Sequence, residues 1–355
     1  ADGEAAAAEA AKSDQQAMAI YADAANFQTN GAIDLAIEQW QRFLKQHPDH
    51  PKAASAAHYL GVCYMQRSEP DWVAAAKAFA RALETPDYDL REESLANRGW
   101  CLYAAAGSGP EADRQLLKES LQTYQQNKLQ FPKSRYRDRA LFYAGEAAYA
   151  LGDMRRAVKF YSSLLESRQT EKSALRCDAI YALGVALEEL GETERAIDTY
   201  QRLLGNGSDE GGGSDERGDP NGLCPDDPAL IADVRLRMGD LLLRSDRAEA
   251  AAEALEAVVS GGEEIADEDR AYALFRQGYA FAKSGKPAES VQRYERLLQE
   301  YPDSAFVEAA TLASAQTAYQ AGQWEAAEKR FQELLGSEDK QAATEAAHWL
   351  ARIQL

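Results

Sequence analysis

With 355 residues and a formal net charge of −19, the chain exceeds what one hydrophobic core serves, so it holds several domains or a repeat array that grows in one dimension. The acidity argues against nucleic acid or an anionic membrane surface as partner, since both must be met by Lys and Arg. No apolar run approaches the roughly 18 residues of a membrane span.

Helix formers dominate the composition and Pro is scarce, at 11 residues. The chain starts at Ala1 with neither initiator Met nor a signal-type apolar region, as expected of a processed or excised chain. Residues 1–15 read as an Ala/Glu-rich tail. From Gln16 onward one pattern returns: a helix with an apolar-Gly step, a short turn, then a helix with a small residue four before an aromatic. The second-helix pairs are Ala36/Trp40, Ala75/Phe79, Ser120/Tyr124, Ala157/Tyr161, Ala196/Tyr200, Ser290/Tyr294 and Ala327/Phe331. A further unit, Ala250/Ala254, keeps the spacing without a ring. Successive small residues lie 39, 45, 37, 39, 54, 40 and 37 apart.

In the first helices, Gly61, Gly99, Gly145, Gly184, Gly239 and Gly278 occupy one position, filled by Ala24 and Ala315 in the first and eighth units. A small residue there lets two helices approach, and the ring of the second helix fills the hollow. Turns fall at Gly31, Gly152, Gly191, Gly285 and Gly322, since Gly enters the left-handed region freely. Second helices stop at Pro48, Pro132 and Pro302. The third unit holds a longer turn around Gly107 to Pro110. Repeats one to five thus span 16–204 and repeats six to eight span 228–338. Between them, 205–227 reads as a flexible acidic Gly/Asp-rich loop, with seven acids against Arg217 from Asn206 to Asp227. Residues 339–355 form a capping helix or the start of a ninth repeat. The expected fold is all-α, a right-handed α-α superhelix of about eight helix pairs plus a terminal helix.

The Leu-Gly steps (Leu60-Gly61, Leu183-Gly184), the second-helix Ala (Ala157, Ala196), its aromatic (Tyr161, Tyr200) and the closing Pro (Pro48, Pro302) resemble the tetratricopeptide repeat family over about Gln16 to Leu355. The common period, 37–40, is longer than the family's 34. Long periods with a Tyr-Pro-Asp-Ser junction, as at Tyr301 to Ser304, look like a bacterial envelope branch. That branch includes the repeat lipoprotein of the outer-membrane assembly machine and the Tol–Pal-associated coordinator. The family's geometry implies that first-helix positions three before and one, four and five after the repeat Gly face a concave peptide-binding groove. Here these include Tyr21, His58, Met65, Trp100, Tyr103, Phe142, Tyr149, Tyr181, Phe275, Tyr279 and Tyr319, interrupted by Glu146, Glu188, Glu189, Asp240, Arg244 and Lys283. Any single ring reads as packing between repeats before it reads as a ligand contact; the cluster from Trp100 to Tyr181 speaks for binding more than any member does. The Lys/Asn carboxylate clamp of the family's chaperone-tail binders is missing.

No catalytic, cofactor or metal motif stands out. His47 and His50 read as a polar loop around Pro48 rather than a metal clip, for want of a third strong ligand nearby. Carboxylate pairs such as Glu188/Glu189 and Glu263/Glu264 read as solvated faces, and the Asp-rich loop lacks the spacing of a calcium site. Cys63 and Cys101 fall at a small-residue position two after the repeat Gly, which burial explains. Cys177 starts a first helix and Cys224 leaves the partner second helix. Antiparallel pairing brings those ends together, so the two could meet in a disulfide; the alternative is two free thiols. The sequence therefore leads to a scaffold, not an enzyme, that binds a protein or peptide in a periplasmic or outer-membrane-associated setting, without cofactor. A cytoplasmic adaptor on the same fold is the alternative, and a helical-toroid enzyme a weaker one.

Overall fold

The computed structural model describes residues 2–205, 227–337 and 339–353. They form α-helices joined by short turns, with no strand among the described residues. The chain divides into two compact units, Ala1–Leu190 and Gly191–Leu355. The sequence placed its division at 205–227, of which 206–226 lie outside the described residues.

The first unit contains α1 (Asp2–Thr29), α2 (Ile33–Gln46), α3 (Ala53–Gln66), α4 (Trp72–Leu83), α5 (Arg91–Ala106), α6 (Arg114–Gln130), α7 (Arg137–Ala150), α8 (Met154–Glu166) and α9 (Arg176–Glu189). The Ala/Glu tract runs on into α1, where Asp14 Oδ1 lies 2.9 Å from His50 Nε2. His50 also meets Phe43 edge-on, 5.4 Å between centroids. The second unit contains α10 (Thr193–Leu203), α11 (Pro228–Arg244), α12 (Ala248–Val259), α13 (Asp267–Lys283), α14 (Pro287–Glu300), α15 (Val307–Gln320), α16 (Trp324–Leu334) and α17 (Lys340–Ile353).

The predicted turns form as glycine chemistry requires. Gly152 has φ +82°, and its N–H donates to Tyr149 O (2.8 Å) while that of Asp153 donates to Ala148 O (2.9 Å). These two bonds satisfy carbonyls that the end of α7 would otherwise leave open. The sixth unit does the same with Asp246, a non-glycine residue at φ 60°. The longer turn of the third unit holds a single 3₁₀ turn, Gly109–Glu111. Asp71, Asp113 and Asp153 cap α4, α6 and α8 by accepting backbone N–H groups.

The repeat glycines admit the rings of their own second helices. A Cβ added at Gly61 would lie 2.8 Å from Phe79, at Gly99 2.7 Å from Tyr124, at Gly145 2.4 Å from Tyr161 and at Gly278 2.6 Å from Tyr294. Those rings are fully buried. Ser120, the small residue of its pair, also donates to Gly99 O at 2.8 Å. One register needs correction. In the sixth unit Gly239 faces Leu255, 2.8 Å from an added Cβ, so the pair is Ala251/Leu255 rather than Ala250/Ala254. Ala251 and Leu255 are fully buried, whereas Ala250 is half-buried. Leu255 takes the place of the ring.

Some first helices touch their successors: α5 meets α7, α11 meets α13, α13 meets α15 and α15 meets α17. Consecutive second helices show no comparable packing among the described residues. In these pairs the first helices are the crowded side.

Candidate functional site

Two positions beside the repeat glycine cover the buried ring from opposite sides. The residue three before the glycine meets the ring of its own unit. Tyr21 lies edge-on to Trp40 (4.7 Å), His58 to Phe79 (5.5 Å), Phe142 tilts against Tyr161 (6.1 Å) and Phe275 against Tyr294 (6.1 Å). The residue two before the glycine meets the ring of the preceding unit. Tyr59 stacks on Trp40 (5.6 Å) and Tyr143 on Tyr124 (6.5 Å). Trp349 stacks on Phe331 in the same way (6.0 Å), so α17 packs on the eighth pair as a first helix does.

This arrangement sorts the residues assigned to the groove. His58 is a core residue: it is 2% exposed, and its Nδ1 lies 2.7 Å from Ser94 Oγ. Burial lowers its pKa below the usual imidazole value, and nearby Glu93 opposes the shift. Tyr21, Phe142 and Phe275 are half-buried wedges between helices. Tyr181, at the same position, is also half-buried.

The positions after the glycine behave differently. Trp100 and Tyr103 on α5 converge with Tyr143 on α7, at centroid distances of 4.6 Å (Trp100–Tyr143), 5.6 Å (Tyr103–Tyr143) and 6.1 Å (Trp100–Tyr103). Trp72, the first residue of α4, approaches Trp100 edge-on at 6.2 Å, and Met65 packs in the same cluster. All five side chains are half-buried, so each keeps part of its surface open to solvent. Tyr149, one turn beyond Glu146 on α7, is half-buried as well. Glu146 ties the cluster down: its Oε2 accepts from Tyr103 OH (3.2 Å) and its Oε1 from Tyr161 OH (2.6 Å). Burial and the adjacent Glu146 carboxylate both raise the Tyr103 pKa, since each disfavours a phenolate.

Tyr143 and Trp72 were missed at the sequence level. Tyr143 stands two before Gly145, and its equivalent Tyr59 two before Gly61 carried the signal that this position bears rings. Trp72 opens a second helix, outside the positions the resemblance implied; its equivalent Trp324, likewise three before the small residue of its pair, carried the signal.

In the second unit, Asp240 takes the position of Glu146. It accepts from Tyr272 OH (2.7 Å) and from Arg276 Nε (2.5 Å) on the next first helix. Arg276 in turn lies over the ring of Tyr279, 44% exposed, at 5.7 Å. Lys283 pairs with Asp246 at 2.8 Å, and Arg244 is exposed. Tyr319 sits between Trp324 (4.8 Å) and Trp349 (5.0 Å), with Arg352 over both Tyr319 and Trp349. Cys63 and Cys101 are fully buried free thiols, pushed up to about 11 and about 12 by burial, so neither is poised as a nucleophile. Cys177 is buried on α9, while Cys224 and its pairing with Cys177 lie outside the described residues.

Family models described as tetratricopeptide repeat match residues 21–89, 139–168, 178–206 and 272–304. The fold is a tetratricopeptide-like repeat solenoid. No curated protein sequence matches the chain. Among solved structures, YrrB, described as a tetratricopeptide protein with an unusual peptide-binding site, is 15% identical, with a TM-score of 0.44 over 64% of this chain and 99% of its own. A tetratricopeptide repeat protein from Parabacteroides merdae is 15% identical, with a TM-score of 0.44 over 84% of this chain and 99% of its own. The pilF protein of Pseudomonas aeruginosa is 14% identical, with a TM-score of 0.35 over 88% and 99%. In the tetratricopeptide-like repeats of this chain, the first-helix faces hold aromatic rings beside carboxylates that join neighbouring repeats.

Proposed function

We propose that the chain is a non-catalytic scaffold that binds a protein or peptide segment on the first-helix face of α3, α5 and α7, within a bacterial cell-envelope assembly. The observation that carries the binding reading is the convergence of Trp100, Tyr103 and Tyr143, with Met65 and Trp72 at its edge. Three rings on two adjacent helices, each partly open, present a large apolar area with few rotatable bonds, the composition of an interface anchor. Glu146 holds Tyr103 in place before a partner arrives, which reduces the ordering cost of binding. A photo-crosslinking residue at Tyr149, read by mass spectrometry, identifies the segment bound. Titration of that segment then tests the face: Trp100→Ala weakens binding by about 1–2 kcal/mol or more. Unchanged affinity together with a lowered melting temperature, for both Trp100→Ala and Tyr149→Ala, rejects it.

The envelope setting rests on the long repeat period and the Tyr301 to Ser304 junction, and a Cys177–Cys224 bond would support it. A bond across that interval implies an oxidising compartment. Non-reducing peptide mapping of protein from its native compartment checks it. Alkylatable thiols at both positions would transfer the chain to the cytoplasmic adaptor reading.

A further inference from the structure

Charge is unevenly placed on the second helices. In the first unit, α4, α6 and α8 carry eight Lys or Arg against two acids, Glu119 and Glu166. In the second unit, α12, α14 and α16 carry nine Glu against four cations. A chain of net charge −19 therefore keeps one strongly basic helix face.

That face contains a groove. Between α6 and α8 lies an open cleft of about 360 Å³. Arg114 and Lys118 line it one turn apart on α6, and Arg156 lines it from α8. All three side chains are exposed. The single acid in the lining, Asp153, is engaged locally: it caps α8 through the Arg156 N–H (3.1 Å) and lies 3.3 Å from Arg156 Nε. Arg114 donates to Leu151 O at 3.0 Å, a carbonyl that fixes the guanidinium without neutralising it. Gln122 and Gln125 add amide donors, and the buried Leu121 provides an apolar floor.

We propose that this second-helix face docks an acidic protein segment, with carboxylates seated in the α6/α8 groove and an apolar side chain on Leu121. Carboxylates match the donors present, two guanidinium forks, an ammonium and two amides. A nucleic acid is the poorer fit. The groove has no aromatic lining on which bases could stack. The groove is separate from the aromatic face, because it is built on second helices and Trp100 and Tyr143 stand on first helices. The scaffold thus has a second, electrostatic docking surface.

Fluorescence anisotropy on the full chain at physiological salt tests this, with a short labelled peptide alternating Glu and Leu, the same peptide with Gln for Glu, and a single-stranded oligonucleotide of equal charge. The Glu peptide binds and the Gln peptide does not. The double variant Lys118→Glu/Arg156→Glu weakens the Glu peptide at least about tenfold, while Lys329→Glu on α16 changes it less than about twofold. A neutral pair, Lys118→Gln/Arg156→Gln, provides the same reading should charge reversal impair folding. Absence of Glu-peptide binding, equal or tighter binding of the oligonucleotide, or affinity indifferent to the Lys118/Arg156 variants would overturn the proposal.

Discussion

Gly145 shows how a missing side chain organises this molecule. A methyl group there would stand 2.4 Å from Cε1 of Tyr161, a ring with no exposed surface that already meets Phe142. Gly145→Ala gains about 0.5–1 kcal/mol of helix propensity but forces the ring away, at about 1–3 kcal/mol for overpacking. Net destabilisation is expected, and chemical denaturation reads it. An unchanged or raised midpoint would mean that the ring yields without cost. Ala24 and Ala315 hold the same position in the first and eighth units, so the constraint is the distance to each unit's ring rather than glycine as such. His58 supplies a second residue-scale prediction. It faces Ser94, which also accepts from Tyr88, and Glu93, which also pairs with Arg135. Burial lowers its pKa, so the unfolded chain takes up the proton first as pH falls. The stability due to neutral His58 is complete above the ordinary value of 6.5 and is lost as pH drops from there toward the lower folded value. Melting temperatures measured downward from neutral pH fall less steeply in His58→Gln than in the parent. Identical slopes would contradict this.

At the scale of helices, the carboxylate one residue after the repeat glycine joins neighbouring repeats. Glu146 on α7 holds Tyr103 of α5 and Tyr161 of α8, and Asp240 on α11 holds Tyr272 and Arg276 of α13. These acids were read from the sequence as charges interrupting a groove. In the structure they bind the first helices to each other and set the spacing of the rings. Removing Glu146 leaves the Tyr161 hydroxyl buried without that acceptor, a loss of about 1–3 kcal/mol. Glu146→Ala therefore destabilises more than Glu146→Gln, whose amide oxygen still accepts. Equal losses in urea unfolding would indicate that Tyr161 finds another partner. The rings around Trp100 follow the same logic: Trp72 and Tyr143 join because helices adjacent in space, not positions within one helix, bring them together.

At the scale of the whole molecule, a repeat array is held by contacts between nearest neighbours, so damage stays local. Trp349 of α17 covers Phe331 and Tyr319, as a first helix covers the pair before it. Deleting residues 340–355 exposes those rings. Hydrogen exchange should rise in α15 and α16 while α5 and α7 keep their protection. Loss of protection throughout the chain would instead show a single cooperative fold. The charge distribution belongs to this scale as well, since the basic face collects residues from α4, α6 and α8 that no local stretch of sequence places together.

The sequence by itself determined the repeat, the pairing of helices, the glycine turns and, at Gly61, Gly99, Gly145 and Gly278, the fit between a repeat glycine and a ring four residues past a small residue. These are local or strictly periodic, and helix geometry converts such spacing directly into shared faces. Tertiary structure decided the rest. Neighbouring helix positions point about 100° apart, so residues two and three before a glycine both seem to leave the core when one helix is considered alone. Packing of the next repeat buries one against its own unit's ring and the other against the preceding one, which put His58 in the core and drew Tyr143 into the aromatic face. In the sixth unit, Ala250, Ala251 and Ala252 are alike in size, and only the contact of Leu255 with Gly239 selects the register. Composition says which side chains are available to bury; the spacing between helices, which no single helix encodes, says which of them are buried.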